Sequence, residues 1–305
     1  MDQSRFLPNE QDARVWVIGS RGKSTILAYL RSILGKADRH VPCAEIGPGE
    51  SVSPGARDIV VVADTLPGEK AYGSALAAAQ QARHLVLNAE CPAWVRIGRE
   101  LSGQIYWVSA DVRQPALHEH LGRGGDACYA RGAELEIASG ESSEPVFPLL
   151  EIPSLLGGAA CHQVRNVAAA ASAGLALDLS LEQLAEGLRG VSESCEERLG
   201  RGSSCVDQGA RLFLDRAPDA VALSAVIGTA CALPAERIQL LIGEQSDLDA
   251  LLWSGEFDRI ALAEAYLSPG SGRAEFAQAL ASRGCLLYTS PSPRDRTRSR
   301  MPSSA

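Results

Sequence analysis

Apolar residues along the chain fall into short continuous runs separated by stretches with helical spacing. Val15-Trp16-Val17-Ile18 is one run, residues 59–63 a second, 84–88 a third and 104–108 a fourth. Runs this short, bounded by polar or glycine-bearing segments, predict strands buried on both faces. Between them, residues 26–34, 72–83 and 94–101 carry apolar positions at helical spacing. Strand followed by helix, repeated, predicts a mostly parallel sheet with helices on both faces.

The pattern changes over residues 109–150, which are polar and Gly-rich; residues 133–138 alternate as an edge hairpin strand does. Residues 166–177 form an Ala-rich helical stretch. Ser180 opens another helix, with Glu182 behind it, close to a capping pattern. Residues 191–197 read as a polar linker. A second alternating unit follows: strands over 212–215, 238–243 and 259–263, and helices over 219–230 and 274–281. The expected fold class is α/β. A P-loop, mostly parallel sheet domain spans 13–192, after a short extension over 1–12. A smaller, incomplete Rossmann-like α/β domain spans 193–284. No internal repeat is evident.

The last stretch, 285–305, is compositionally foreign. It carries four arginines against one aspartate and no helical or strand period. It resembles translated cloning-adaptor sequence, so disorder is expected there. On that reading the gene continues past Gly284 and this chain is a C-terminally truncated fragment.

Bulk composition narrows the function classes. Of 305 residues, 46% are hydrophobic and 22% charged, as in ordinary globular proteins. The net charge of −8 argues against a nucleic-acid partner. None of the eight cysteines stands in C-x-x-C spacing, which points away from zinc knuckles and redox pairs and toward a reducing cytoplasm. Residues 1–9 lack the apolar core of a signal peptide, and no run reaches the roughly 18 apolar residues of a membrane span.

The chemistry is concentrated in Gly19-Ser20-Arg21-Gly22-Lys23-Ser24-Thr25, set between the first predicted strand and the first predicted helix. That layout is the one a phosphate-binding loop requires. Two glycines let the backbone wrap an anion, and the helix start supplies N–H groups. Lys23 then reaches the β and γ phosphates of a nucleotide, and a Ser24 or Thr25 hydroxyl holds Mg²⁺. The general pattern has four residues between its glycines; here Val17 stands where the first glycine belongs. A generic P-loop nucleotidase is therefore one reading, and an ordinary strand-to-helix turn with an exposed lysine is another.

Further motifs follow in order: His162-Gln163-Val164-Arg165-Asn166 ahead of an alanine run, Glu197-Arg198-Leu199, and Leu214-Asp215-Arg216. Together with the loop they resemble the Mur ligase superfamily, over about residues 13–284. The Gly-Ser-Arg-Gly-Lys-Ser form is nearest its poly-γ-glutamate synthase branch. Residues 86–92, Val-Leu-Asn-Ala-Glu-Cys-Pro, resemble a further family stretch. The resemblance implies ATP-dependent joining of an acidic acceptor to an amino acid. An acyl phosphate forms, and ADP and phosphate are released. It implies phosphate contacts from residues 19–25, adenine contact from Asn166, phosphate contact from Arg198 and ribose contact from Asp215. His162 and Lys23 are the implied catalytic residues. Taken alone, Asn166 also suits a helix N-cap, Arg198 a solvated linker charge and His162 a structural role.

Three departures stand beside the resemblance. The family's Asp-His pair after the strand matching residues 59–63 is replaced by Asp64-Thr65-Leu66-Pro67-Gly68-Glu69, so the metal set is expected among Ser24, Glu45, Asp64 and Glu69. No equivalent of the family's modified lysine stands out; Lys70 is nearest. Only 35 residues separate Lys23 from Asp58, fewer than in relatives. With the loop beginning at Gly19, no counterpart of the N-terminal substrate domain of the peptidoglycan enzymes is expected. A second expectation follows, from a different class: a degenerate Mur-like module that binds nucleotide without ligation, serving as a partner subunit.

Overall fold

The computed structural model describes residues 13–191, 201–207, 210–215, 220–234, 238–242, 264–267 and 286–289. The chain divides into two compact units, Met1–Arg201 and Gly202–Ala305.

The first unit is built on an eight-stranded sheet: β1 (Val15–Ile18), β2 (Cys43–Ile46), β3 (Ile59–Val62), β4 (His84–Asn88), β5 (Gln104–Ser109), β6 (Asp126–Arg131), β7 (Glu134–Ser139) and β8 (Ser142–Pro148). Their spatial order is β2-β1-β3-β4-β5-β6-β7-β8. Every pairing from β2 through β6 is parallel; β6–β7 and β7–β8 are antiparallel. The α/β expectation holds. Residues 133–138 are corrected from edge strand to interior strand. Leu135 and Ile137 face one core and Ala138 the other, and β8, with its first four residues exposed, is the edge on that side. Strand β2 escaped the reading because Cys-Ala-Glu-Ile is too short and mixed to signal a period.

Six helices cover the sheet: α1 (Lys23–Lys36), α2 (Lys70–Gln81), α3 (Pro92–Gly98), α4 (Pro115–Leu121), α5 (Val164–Ala176) and α6 (Leu181–Arg189). Alternate strand residues feed two cores. Val15, Val17, Ile59, Val61, Val86, Tyr106 and Val108 pack with α1, α5 and α6. Ile18, Val60, Val62, Leu85, Leu87, Ile105 and Trp107 pack with α2, α3 and α4. Two-sided burial is why these strands read as continuous apolar runs. Helix α5 is alanine-rich because it is the central helix; Ala168, Ala170, Ala171 and Ala173 are fully buried, and small side chains let the helix lie close to the sheet. Helix α6 starts in a full capping box, with Gln183 rather than Glu182 as Ser180's partner.

The second unit holds a two-stranded sheet, β9 (Arg201–Asp207) with β10 (Ala210–Asp215), a helix α7 (Ala220–Ala232), and a parallel three-stranded sheet in the order β11 (Gln239–Ile242), β12 (Glu264–Leu267), β13 (Leu286–Thr289). The expected strand over 259–263 and helix over 274–281 lie outside the described residues. So does most of the linker. The disorder expected throughout 285–305 does not extend to residues 286–289. Leu-Leu-Tyr-Thr is apolar and β-prone, and it pairs in register with Glu264–Leu267. Among the described residues, no helix is long and apolar enough to cross a membrane.

Candidate functional site

In an open parallel sheet, ligands bind at the carboxyl ends of the strands. Here the central strands all end in polar residues at that edge: Ser20 past β1, Asp64 past β3, Asn88 and Glu90 at β4, and Ser109 closing β5. The 19–25 loop leaves β1 at the same edge. Gly19 lies against Ala63, so that a Cβ would meet its backbone at 2.9 Å. Gly22 adopts the left-handed conformation, φ 83°, and serves as N-cap of α1 with no side-chain cap. A Cβ there would overlap the amide of Asn166. The loop is thus narrow at both glycines, and α1 starts with its amide end turned to the strand edge.

The loop is stapled to the turn between β3 and α2. The N–H groups of Ser20 and Arg21 both donate to the carbonyl of Asp64, at 3.1 and 3.0 Å. The Arg21 guanidinium bridges two carboxylates, with Nε 2.8 Å from Asp64 Oδ2 and Nη1 2.7 Å from Glu69 Oε1. The Ser20 hydroxyl donates to Glu69 Oε2 at 2.6 Å, and Thr65 Oγ1 and the Leu66 N–H also donate to that oxygen. Buried Trp94 on α3 supports the turn by donating to the Thr65 carbonyl. Burial pushes the Glu69 carboxyl up, but the bonds from Ser20, Leu66 and Arg21 outweigh it and hold the group below its ordinary range. Lys23 folds back so that Nζ donates to the Gly19 carbonyl at 2.5 Å.

The start of α5 meets the loop. Asn166 is not an N-cap, since Gln163 holds that position. It sits in the first turn, donates to Gln163 Oε1 at 2.7 Å and faces Gly22. With its oxygen so engaged, Gln163 Nε2 donates to His162 Nε2, 2.9 Å away. Burial, helped by the positive charge of Arg165, pushes the His162 imidazole down to about 4, so the ring is neutral at pH 7. A neutral acceptor suits a residue that orients Gln163 and Asn166 better than one that carries charge to phosphate.

Glu90 and its partner Arg165 were not singled out from the sequence as site residues. Glu90 accepts from Ser109 Oγ at 2.9 Å and the Ala110 N–H at 2.6 Å, and pairs with Arg165 at 3.0 Å. The available signal was an acid two residues past the strand end, which is also how Asp64 follows β3.

The predicted site residues are thus brought together in part. Ser20, Arg21, Gly22, Lys23, Asp64, Glu69 and Asn166 form one connected set, with Ser24 and Thr25 in the first turn of α1. Glu45 is exposed on edge strand β2, in register with Val17. Asp215 ends β10 in the second unit, and Arg198 lies outside the described residues. A divalent ion needs several oxygens converging on one point. The expected metal set does not fit as it stands: Asp64 and Glu69 are both committed to Arg21 and Glu45 lies on β2. Among the described residues, no three His, Cys, Asp or Glu side chains converge on a point.

No family model matches the chain. Over 118 residues it is 24% identical to the cyanophycin synthetase of Crocosphaera subtropica, a match covering 39% of this chain and 14% of that protein. The chain therefore matches only about a seventh of that relative's length. Solved structures share its fold across nearly the whole chain. E. coli FolC in complex with DHPP and ADP has a TM-score of 0.62 at 15% identity, covering 95% of this chain and 82% of that one. A bifunctional folylpolyglutamate synthase/dihydrofolate synthase with Mn, AMPPNP and L-glutamate bound has 0.61 at 16%, covering 95% and 84%. A pseudomurein peptide ligase type C from Methanothermus fervidus has 0.58 at 12%, covering 97% and 70%. The fold is that of the Mur-like ligases.

Proposed function

We propose that this chain carries the nucleotide site of an ATP-dependent carboxylate–amine ligase. The observation that carries the reading is the 19–25 loop, which leaves a central parallel strand, turns through left-handed Gly22 and opens α1 against Asn166. The likeness in fold to ligases solved with ADP and with AMPPNP supports it, as does the partial match to cyanophycin synthetase.

In this reading the amide end of α1 seats the β and γ phosphates. Lys23 exchanges the Gly19 carbonyl for phosphate oxygen, a stronger, charge-assisted partner. Ser24 and Thr25 add hydroxyls at the same turn. His162 and Gln163 hold Asn166 against the loop, and Asn166, Arg198 and Asp215 keep the nucleotide roles that the sequence resemblance implies. The reaction joins an acidic acceptor to an amino acid. A carboxylate oxygen attacks the γ-phosphorus and ADP leaves; the amine then attacks the acyl carbon and phosphate leaves. For such a transfer the protein mainly positions groups and stabilises charge. Residues 13–192 form the ATP-binding domain and 193–284 the C-terminal ligase-like domain.

The test is ADP release by the full chain, with and without amino acids and small polycarboxylates. Amino-acid-stimulated ADP release is the expected result. Lys23→Ala weakens ATP binding by roughly tenfold or more, the loss of one charge-assisted bond. Unchanged affinity sinks the loop assignment. The second reading, a nucleotide-binding module without ligation, is favoured by one observation, the commitment of Asp64 and Glu69 to Arg21. It expects saturable ATP binding and no stimulated turnover.

A further inference from the structure

The two carboxylates expected to bind a metal ion are occupied by a side chain of the loop itself. Arg21 reaches them with two different nitrogens, and its side chain is only 11% exposed. It is fixed twice, because its backbone also bridges to Asp64. Glu69 has little capacity left: Oε1 takes Arg21, and Oε2 takes Ser20, Thr65 and Leu66. A divalent cation set between these carboxylates meets a guanidinium at hydrogen-bond distance from both. The repulsion between two such cations is screened much less in a partly buried site than at the surface. Metal and arginine therefore exclude one another here.

We propose that Arg21 is the resident cation of this loop, holding Asp64 and Glu69 in the place a divalent ion would take. The two acids then act as counter-ions that shape the loop and are not metal ligands. Arg21 is a positioning residue: it locks residues 19–22 to the β3–α2 turn without needing a metal ion to draw the two segments together. The proposal rests on the phosphate-loop reading for its significance, though not for its test. Metal binding without nucleotide reports on Arg21 alone, whereas ATP titration of the unaltered protein reports on the loop.

The experiment is titration of the 305-residue chain with Mn²⁺ alone, followed by electron paramagnetic resonance of the free ion. The unaltered protein is expected to show no site tighter than about 1 mM, and Arg21→Gln to create one at least about tenfold tighter. Adding Asp64→Asn to Arg21→Gln removes that site again. A tight Mn²⁺ site in the unaltered protein that Asp64→Asn or Glu69→Gln abolishes overturns the proposal. So does a folded Arg21→Gln protein that gains no site. Circular dichroism reports folding. Should Arg21→Gln fail to fold, Asp64→Asn and Glu69→Gln are compared for Mn²⁺ uptake in the presence of ATP. Uptake within about twofold of the unaltered protein supports the proposal, and a loss of about tenfold or more overturns it.

Discussion

Strand β3 has an aspartate near each end, and the two are used differently. Asp58, at the amino end, is 5% exposed and accepts from the N–H of Arg14 at 3.1 Å, the N–H of Gly55 at 2.9 Å and the indole Nε1 of Trp16 at 2.8 Å. Asp64, past the carboxyl end, has a side chain 23% exposed and pairs with the Arg21 guanidinium. Donors from backbone and a β1 indole cannot leave Asp58 without undoing the strand. The donor at Asp64 is a long side chain from the 19–25 loop, which Asp64 shares with Glu69. The same residue type thus staples the sheet through backbone and indole donors at one edge and joins a loop through a side-chain ion pair at the other. Burial and the kind of donor make the difference, in keeping with ligand sites lying at the carboxyl edge.

Substitutions can break that contrast. Asp58→Ala strands three donors, two of them backbone, and is expected to cost about 3 kcal/mol in urea unfolding. A cost no larger than that of the matching change at Asp64 removes the distinction. Trp16→Phe deletes a single donor to Asp58 and keeps most of the ring; about 1 kcal/mol is expected by the same measurement. Asp64→Asn retains the backbone carbonyl that accepts from Ser20 and Arg21, and loses only a partly exposed ion pair. About 0.5 kcal/mol is expected. The finest test is pH. Glu69 has a folded-state pKa below its unfolded value of 4.5, so its contribution is present above pH 4.5 and is lost as pH falls through the lower, folded value. Thermal melts across that acid range should show a steeper decline for the unaltered protein than for Glu69→Gln. Parallel curves count against the Glu69 network.

How far each feature could be read in advance depends on the range of the interaction behind it. The runs at β1, β3, β4 and β5 were legible because strands buried on both faces must be apolar throughout. Strand β2 was not, since its place is set by register with β1 and its own four residues carry no period. The helix start at Ser180 was visible, but the residue that closes its capping box was misread by one position. Residues 133–138 showed their alternation, while their interior position depends on β8 pairing back from a later segment. At the site, the loop stood out because glycine, lysine and hydroxyl residues are adjacent in sequence. The partners of Arg21 lie 43 and 48 residues away, and those of Glu90 lie 19, 20 and 75 away.

The sequence alone thus determined the α/β class, the place of the glycine-bearing 19–25 loop and the buried strands that frame it, all consequences of local pattern. Only the tertiary structure decided which charges meet. It turned Asp64 and Glu69 toward Arg21 and left Glu45 exposed on the edge strand β2. It set Asn166 against Gly22 and made His162 neutral by burying it beside Arg165. The physical reason is that hydrophobic periodicity is written residue by residue, whereas an ion pair or a shifted pKa depends on what the folded chain brings within a few ångströms.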